Sequence, residues 1–239
     1  MDRSGIKMRE LHTPEEMAEV VELQFQTWGP NDATPQNQLV ISVKAGGHVI
    51  GAYEKGRLIS FIYGFPGVLP GEPPWIASHM LATHKDYMGR GIGQALKWRQ
   101  REWALARGFY RITWTFDPLE AKNAHLNLNL LGAEAREYIV NCYGEMDDQL
   151  NRGLPSDRLM ADWDLRAPHV AALGQGDRPE RGEPSLSVAV PPDFQSLKRQ
   201  DLKEAQAIRL RVRAQLQDAL ARGLRVYAFD RAKSALLLR

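Results

Sequence analysis

The stretch MLATHKDYMGRGIGQALKWRQREWA, residues 80–104, decides how the rest of the chain is read. Gly89, Gly91 and Gly93 alternate between an apolar run and a helix-like segment. Glycine inside a helix costs about 1 kcal/mol relative to alanine. Three of them at a helix mouth point to a backbone that needs left-handed angles or a close neighbour. A strand that feeds a glycine turn into a helix can grip phosphate, because first-turn N–H groups are unpaired and lie at the positive end of the helix dipole. The plainer reading is a flexible surface turn. Two familiar grips do not fit. The dinucleotide fingerprint needs a glycine where Gln94 stands, and no Gly-Lys-Ser/Thr follows as a Walker loop requires.

Working outward, strands and helices alternate. IKMREL (6–11) reads as a strand. Thr13, Pro14 and Glu16 form a helix-start signature with a capping box, and Met17, Val20, Val21, Phe25 and Trp28 follow at helical spacing. A second helix is expected over 36–45. Residues 48–67 read as a hairpin turning at EKGR, with Gly56 in the turn. WIASHMLATH (75–84) is the strand before the glycines, and the helix after them runs from about 91 to 107, stopped by Gly108. Strands at 109–116, 135–143 and 158–165 and a short helix at 123–131 complete a first domain, expected over 1–166. Residues 167–185 carry three prolines and three glycines and read as an exposed linker. A strand at 186–190, a helix at about 198–222 and strands at 225–230 and 234–238 form an expected C-terminal extension, 186–239. The mixture indicates an α/β or α+β protein.

The bulk numbers narrow the class. A net charge of +2 gives no whole-chain nucleic-acid footprint. Cys142 is the single cysteine, so no intrachain disulfide forms, which suits a reducing compartment. The stretch MDRSGIKMRELHTPEEM has no apolar signal core, and no run approaches the roughly 18 apolar residues of a membrane helix. The expectation is a soluble, cytoplasmic protein.

Residues 81–96, LATHKDYMGRGIGQAL, resemble the coenzyme A signature of the GNAT N-acyltransferase superfamily: Gln/Arg-x-x-Gly-x-Gly/Ala between a strand and a helix. Gly91 and Gly93 match its glycines. Met88 stands where Gln or Arg is preferred, and Lys85 where proline is common. The order of elements over 6–165 agrees with the family. The resemblance implies a mixed, mostly antiparallel sheet flanked by helices, acetyl-CoA or another acyl-CoA as co-substrate, and a thioester lying along Met80–Thr83. It assigns coenzyme A contacts to Leu81, Ala82, Thr83, Met88, Gly89, Arg90, Gly91, Ile92, Gly93, Gln94 and Asn123. Ala124 and Gly132 fit the family's A-x-x-x-Tyr-x-x-x-Gly spacing, but Leu128 occupies the position of the tyrosine that often protonates the departing thiolate. DPLEAKNAHLNLNLLGA (117–133) and NCYGEMDDQLNRGLPSDRL (141–159) resemble a branch with some links to N-acylamino-acid metabolism, including N-succinylation.

Acyl transfer to an amine needs a base for the amine, a donor for the carbonyl oxygen and a proton or dipole for the leaving thiolate. His79, in a pattern like that of arylalkylamine-acetylating members, is the expected base; histidine titrates near neutrality. The alternative is a half-buried structural histidine. His84, closer to the turn, is expected to face solvent. Tyr143 is the candidate to replace the missing acid, against an aromatic at a strand end. Cys142 has no base near it in sequence and reads as a small apolar residue. Arg158 could clamp a carboxylate through its planar fork, with Asn151 and Ser156 adding hydrogen bonds; an ion pair of Arg158 with Asp157 or Asp162 is the alternative. The spacing of Asp117, Glu120, Asp147 and Asp148 matches no metal cage, and no metal is assigned.

In the C-terminal segment, Lys198, Arg199, Lys203, Arg209, Arg211, Arg213, Arg222 and Arg225 outnumber Asp201, Glu204 and Asp218. That helix is expected to pack on the acyltransferase fold or on a second subunit in a homodimer. The reading is an N-acyltransferase moving an acetyl or succinyl group to a small-molecule amine such as an amino acid. A non-catalytic acyl-CoA-binding regulatory module and a nucleic-acid-binding protein are the alternatives. Neither a membrane nor a nucleic acid is an expected partner.

Overall fold

Thr13 starts the first helix as its neighbours dictate. Its hydroxyl accepts the Glu16 N–H at 3.3 Å, and the Glu16 carboxylate accepts the N–H groups of Thr13 and His12 at 3.0 and 2.7 Å. The structure is a computed structural model describing residues 5–29, 33–145 and 153–239. The chain divides into two compact units, Met1–Ile112 and Thr113–Arg239.

In the first unit, β1 (Ile6–Leu11), β2 (His48–Glu54), β3 (Arg57–Gly67) and β4 (Trp75–Thr83) pair in that order, each antiparallel to the next. The β2–β3 turn places Lys55 and Gly56 at φ 50° and 80°, the two left-handed residues a tight hairpin demands. Helix α1 (Pro14–Trp28) buries Met17, Val20 and Leu23 with Leu39 of α2 (Gln36–Lys44) against Phe61 and Tyr63 of β3. Each such side chain contributes about 1.5–3 kcal/mol when fully buried. Helix α3 (Ile92–Leu105) follows β4 through the glycine turn.

Strand β5 (Arg111–Phe116) leads into the second unit, with α4 (Ala121–Ala124) running into a π-helical stretch, His125–Leu130. Then come β6 (Glu134–Ile139), β7 (Arg158–Asp164), α5 (Pro168–Gln175), β8 (Leu186–Ala189), α6 (Phe194–Gln200), α7 (Leu202–Ala221), β9 (Val226–Asp230) and β10 (Ala235–Leu238). The strand order is β5-β7-β6-β9-β10-β8. The architecture is the mixed α/β, mostly antiparallel one expected.

Two local expectations change. The proposed linker contains α5, which Pro168 opens and Gly176 closes at φ 95°, with Val170 fully buried. The expected single C-terminal helix is two, because Asp201 leaves the helical region (φ −147°, ψ 93°) and caps α7 by accepting the Glu204 N–H at 3.0 Å. Among the described residues, no helix is long and apolar enough to cross a membrane.

Candidate functional site

The register of β3 and β4 slips at one residue. Tyr63 faces Met80 and Gly64 faces Ser78, so His79 is left over as a β-bulge. Bulges re-aim a side chain and free the local backbone from the ladder. The partner must be glycine. A Cβ on Gly64 would meet His48 Cε1 at 2.8 Å, the Ala77 oxygen at 3.0 Å and Gln100 Nε2 at 3.1 Å. The His79 ring packs edgewise against Tyr63 and Phe65, at 5.8 and 6.0 Å between centroids, while part of it stays open to solvent. That packing lowers its pKa by desolvation and favours the neutral, proton-accepting form.

Behind the bulge lies a buried polar group that no local sequence signal announces. Lys97 of α3 is 3% exposed, and its Nζ donates to Ser78 Oγ at 2.8 Å. Burial holds that ammonium well below the usual lysine range. His48 contacts Gln100 at 2.8 Å and lies over Trp103, 4.1 Å between centroids. Its pKa is pushed down to about 3, chiefly by burial, then by Lys97 and Arg107.

At the other end of β4, Ser60 Oγ donates to the Ala82 carbonyl at 2.6 Å and contacts Thr83 Oγ1 at 2.8 Å. Ala82 is 2% exposed, whereas Leu81 and Thr83 are half-buried. His84 is buried, contrary to expectation. Arg57 lies 2.8 Å from His84 Nε2, and His84 Nδ1 accepts the Asp86 N–H at 3.3 Å, with the Asp86 carboxylate 3.5 Å away. Met88 is exposed, and Arg90 stacks on Tyr87 at 4.7 Å. An open pocket of about 480 Å³ adjoins the turn, lined by Gln26, Thr27, Arg57, Thr83, His84, Lys85 and Met88.

Gly89 and Gly91 adopt φ of 76° and 72°, where a side chain is strained. Gly93 does not, and a Cβ there would only touch Leu81 at 3.5 Å. Gly91 caps α3 without any side-chain hydrogen bond, unlike α1, α6 and α7, which Thr13, Asp193 and Asp201 cap. The first intrahelical bond runs from Ala95 N–H to the Gly91 oxygen, so the N–H groups of Ile92, Gly93 and Gln94 lie ahead of the ladder. A glycine-capped first turn with unused donors fits a pyrophosphate. These residues would hold the diphosphate of a coenzyme A thioester.

The second unit gathers Tyr143, Ser156 and Arg158, three of the predicted residues, together with Thr115. Tyr143 is half exposed, and its hydroxyl lies 2.6 Å from Thr115 Oγ1. Ser156, expected as a substrate contact, is instead an internal brace. It is fully buried, accepts the Tyr143 N–H at 2.9 Å and donates to the Gly144 carbonyl at 2.8 Å. The Arg158 guanidinium lies 5.5 Å from the Tyr143 ring centre and 3.8 Å from Asp117, and donates to the Asp157 carbonyl at 2.9 Å. Asp117 is thus an acidic neighbour of Arg158 beyond the Asp157 and Asp162 expected from the sequence. Asp157 is clasped by Arg213 at 2.8 and 2.9 Å and accepts the Tyr138 hydroxyl at 2.6 Å. Burial pushes the Cys142 thiol up, away from nucleophilic character. Leu128 is fully buried and Asn123 is exposed on α4. Asn151 lies outside the described residues. No group of three or more potential metal ligands occurs among the described residues.

Sequence spacing hid Thr115, Asp117, Arg209 and Arg213 as neighbours of this cluster, because their contacts span tens of residues. Comparison with known proteins adds the family. A profile of the Acetyltransferase (GNAT) family matches residues 8–127. No curated protein matches the chain. Among solved structures, the acetyltransferase of GNAT family from Streptococcus pneumoniae is similar at TM-score 0.52 and 16% identity, covering 66% of this chain and 97% of that one. The ribosomal-protein-S18-alanine N-acetyltransferase from Escherichia coli is similar at TM-score 0.53 and 14% identity, covering 67% and 94%. An Arabidopsis thaliana protein in complex with the bisubstrate analogue CoA-Ac-MVNAL is similar at TM-score 0.53 and 13% identity, covering 66% and 97%. At these identities the likeness is one of fold. With the profile spanning half of the chain and including its strand, glycine turn and helix, the chain belongs to the GNAT acetyltransferase family.

Proposed function

We propose that this chain transfers an acetyl or succinyl group from coenzyme A to the amine of a small molecule such as an amino acid. The observation that carries the reading is the succession of bulge, glycine turn and side-chain-free helix cap over residues 79–94. In this reading the open first turn of α3 holds the diphosphate, and His79 takes the proton of the attacking amine, directly or through water. Freed backbone at the bulge is available to the thioester carbonyl. The collapsing intermediate expels the thiolate of coenzyme A, which takes up a proton. Tyr143 is the proposed donor of that proton, held by Thr115 and by its ring contact with Arg158. Arg158 is the proposed partner for a carboxylate on the acceptor or the acyl group.

The buried Leu128 at the usual acid position favours a second reading, an acyl-CoA-binding module without turnover. Thiol release separates the two. Acetyl-CoA and succinyl-CoA are offered with amino acids of both hands and a panel of simple amines. Turnover with at least one pair supports the enzyme. Tight coenzyme A binding with no release across the panel supports the module.

A further inference from the structure

Glu134 opens β6, and its carboxylate draws in four guanidinium groups, one from β6 itself and three from residues far along the second unit. Arg181 Nη2 and Arg239 Nη2 each lie 3.2 Å from Oε1, Arg225 Nε lies 2.9 Å from Oε2, and Arg136 Nη2 lies 3.9 Å from Oε2. Arg181 and Arg239 also sit over the Tyr227 ring, at 5.7 and 4.5 Å from its centre. Arg181 is built in. Its side chain is 10% exposed, and it donates to the carbonyls of Leu128 and Tyr227. Arg239 donates to the Arg181 carbonyl. The rim is more open, with Arg225 32% and Arg136 61% exposed.

The cluster holds more donors than the protein supplies acceptors for. Besides Glu134, nearby carboxylates include Glu183, close enough to raise the Tyr227 hydroxyl pKa, and Asp162, opposite Glu134 in the β6–β7 register. The Nε–H groups of Arg181, Arg225 and Arg239 are all buried without a hydrogen-bond partner. For Arg225 the distance to Oε2 is short, but the N–H is not aimed along it. Buried donors normally find an acceptor, and three orphans on one cluster are a concentration that internal packing does not explain.

We infer that this cluster is an anion site for a small, multiply charged oxyanion of the phosphate class. Tetrahedral oxygens suit several planar forks at once. Arg225 and Arg136 would engage it at the rim, with Arg181 and Arg239 beneath. The site lies within residues 113–239 and shares no residue with the glycine turn.

The test is calorimetric titration of the full chain with inorganic phosphate, with sodium chloride at matched ionic strength as reference. Wild type should bind phosphate, and Arg225→Gln should weaken it at least tenfold. Gly91→Glu should leave phosphate binding unchanged, because the glycine turn contributes no residue to the cluster. If Arg225→Gln does not fold, Arg136→Gln carries the test, with a loss of at least threefold expected. Phosphate behaving like chloride would overturn the assignment. So would retention of affinity in a folded Arg225→Gln or, where that variant does not fold, in Arg136→Gln. Loss in Gly91→Glu would place the anion at the turn instead.

Discussion

Arg209 of α7 clasps Asp117 with both terminal nitrogens, Nη1 2.7 Å from Oδ1 and Nη2 2.6 Å from Oδ2. Both side chains are buried, at 2% and 11% exposed. Arg209→Met should therefore destabilise by about 3 kcal/mol, because it leaves the buried carboxylate with only the Leu119 N–H and the more distant Arg158. The double variant Arg209→Met, Asp117→Leu should recover much of that loss. Urea denaturation measures both. A single-variant loss below about 1 kcal/mol would contradict this role for the pair.

His48 makes stability pH-dependent. Its folded pKa is about 3, so the folded state refuses a proton that the unfolded state accepts near 6.5. Unfolded chains then bind more protons below that value, and stability falls with pH between 6.5 and 3. From pH 7 to pH 5 the loss from this group should be about 2 kcal/mol. His48→Gln should flatten that part of the urea-midpoint profile. An equally steep profile in the variant would remove His48 as the cause.

His79→Ala should lower kcat by roughly 10²-fold, the low end for a positioned acid–base group, and leave coenzyme A affinity nearly unchanged. Desolvation lowers the His79 pKa, so the rising limb of the wild-type rate should fall on the acid side of 6.5. The limb should vanish in the variant when the same acceptor is used. Near-normal kcat with the limb intact would take His79 out of the mechanism.

Arg158→Lys replaces a planar fork with a point charge. If Arg158 meets an acceptor carboxylate, kcat/KM should fall at least tenfold for carboxylate-bearing acceptors and hold for their amides. Equal losses for both would mark Arg158 as a brace for Tyr143 and Asp117.

Local signals made much of this molecule readable. Thr13, Pro14 and Glu16 announced α1, and alternating glycines between a strand and a helix announced the turn, because capping and left-handed angles depend on near neighbours. The same rules give no warning at Pro168 and Gly176, which open and close α5 but look like linker residues in a Pro/Gly-rich stretch. Asp201 and Glu204 carry a helix-start pattern inside a continuous apolar stripe, so periodicity masked the break. The bulge at His79 left no trace, since WIASHMLATH reads as an unbroken strand. Asp117 with Arg209 and Glu134 with Arg239 were invisible because long-range pairing is decided by topology rather than spacing.

The central claim is that the glycine turn grips a coenzyme A thioester, and calorimetric titration of coenzyme A into wild type, Gly91→Ala and Gly91→Glu tests it most directly. Alanine adds a side chain at the left-handed φ of 72° without charge, whereas glutamate adds a negative charge at the open first turn as well. Wild type should bind, and Gly91→Glu should bind at least tenfold more weakly than Gly91→Ala, a difference of about 1.4 kcal/mol. A folded Gly91→Glu variant that binds coenzyme A as tightly as wild type would contradict the account.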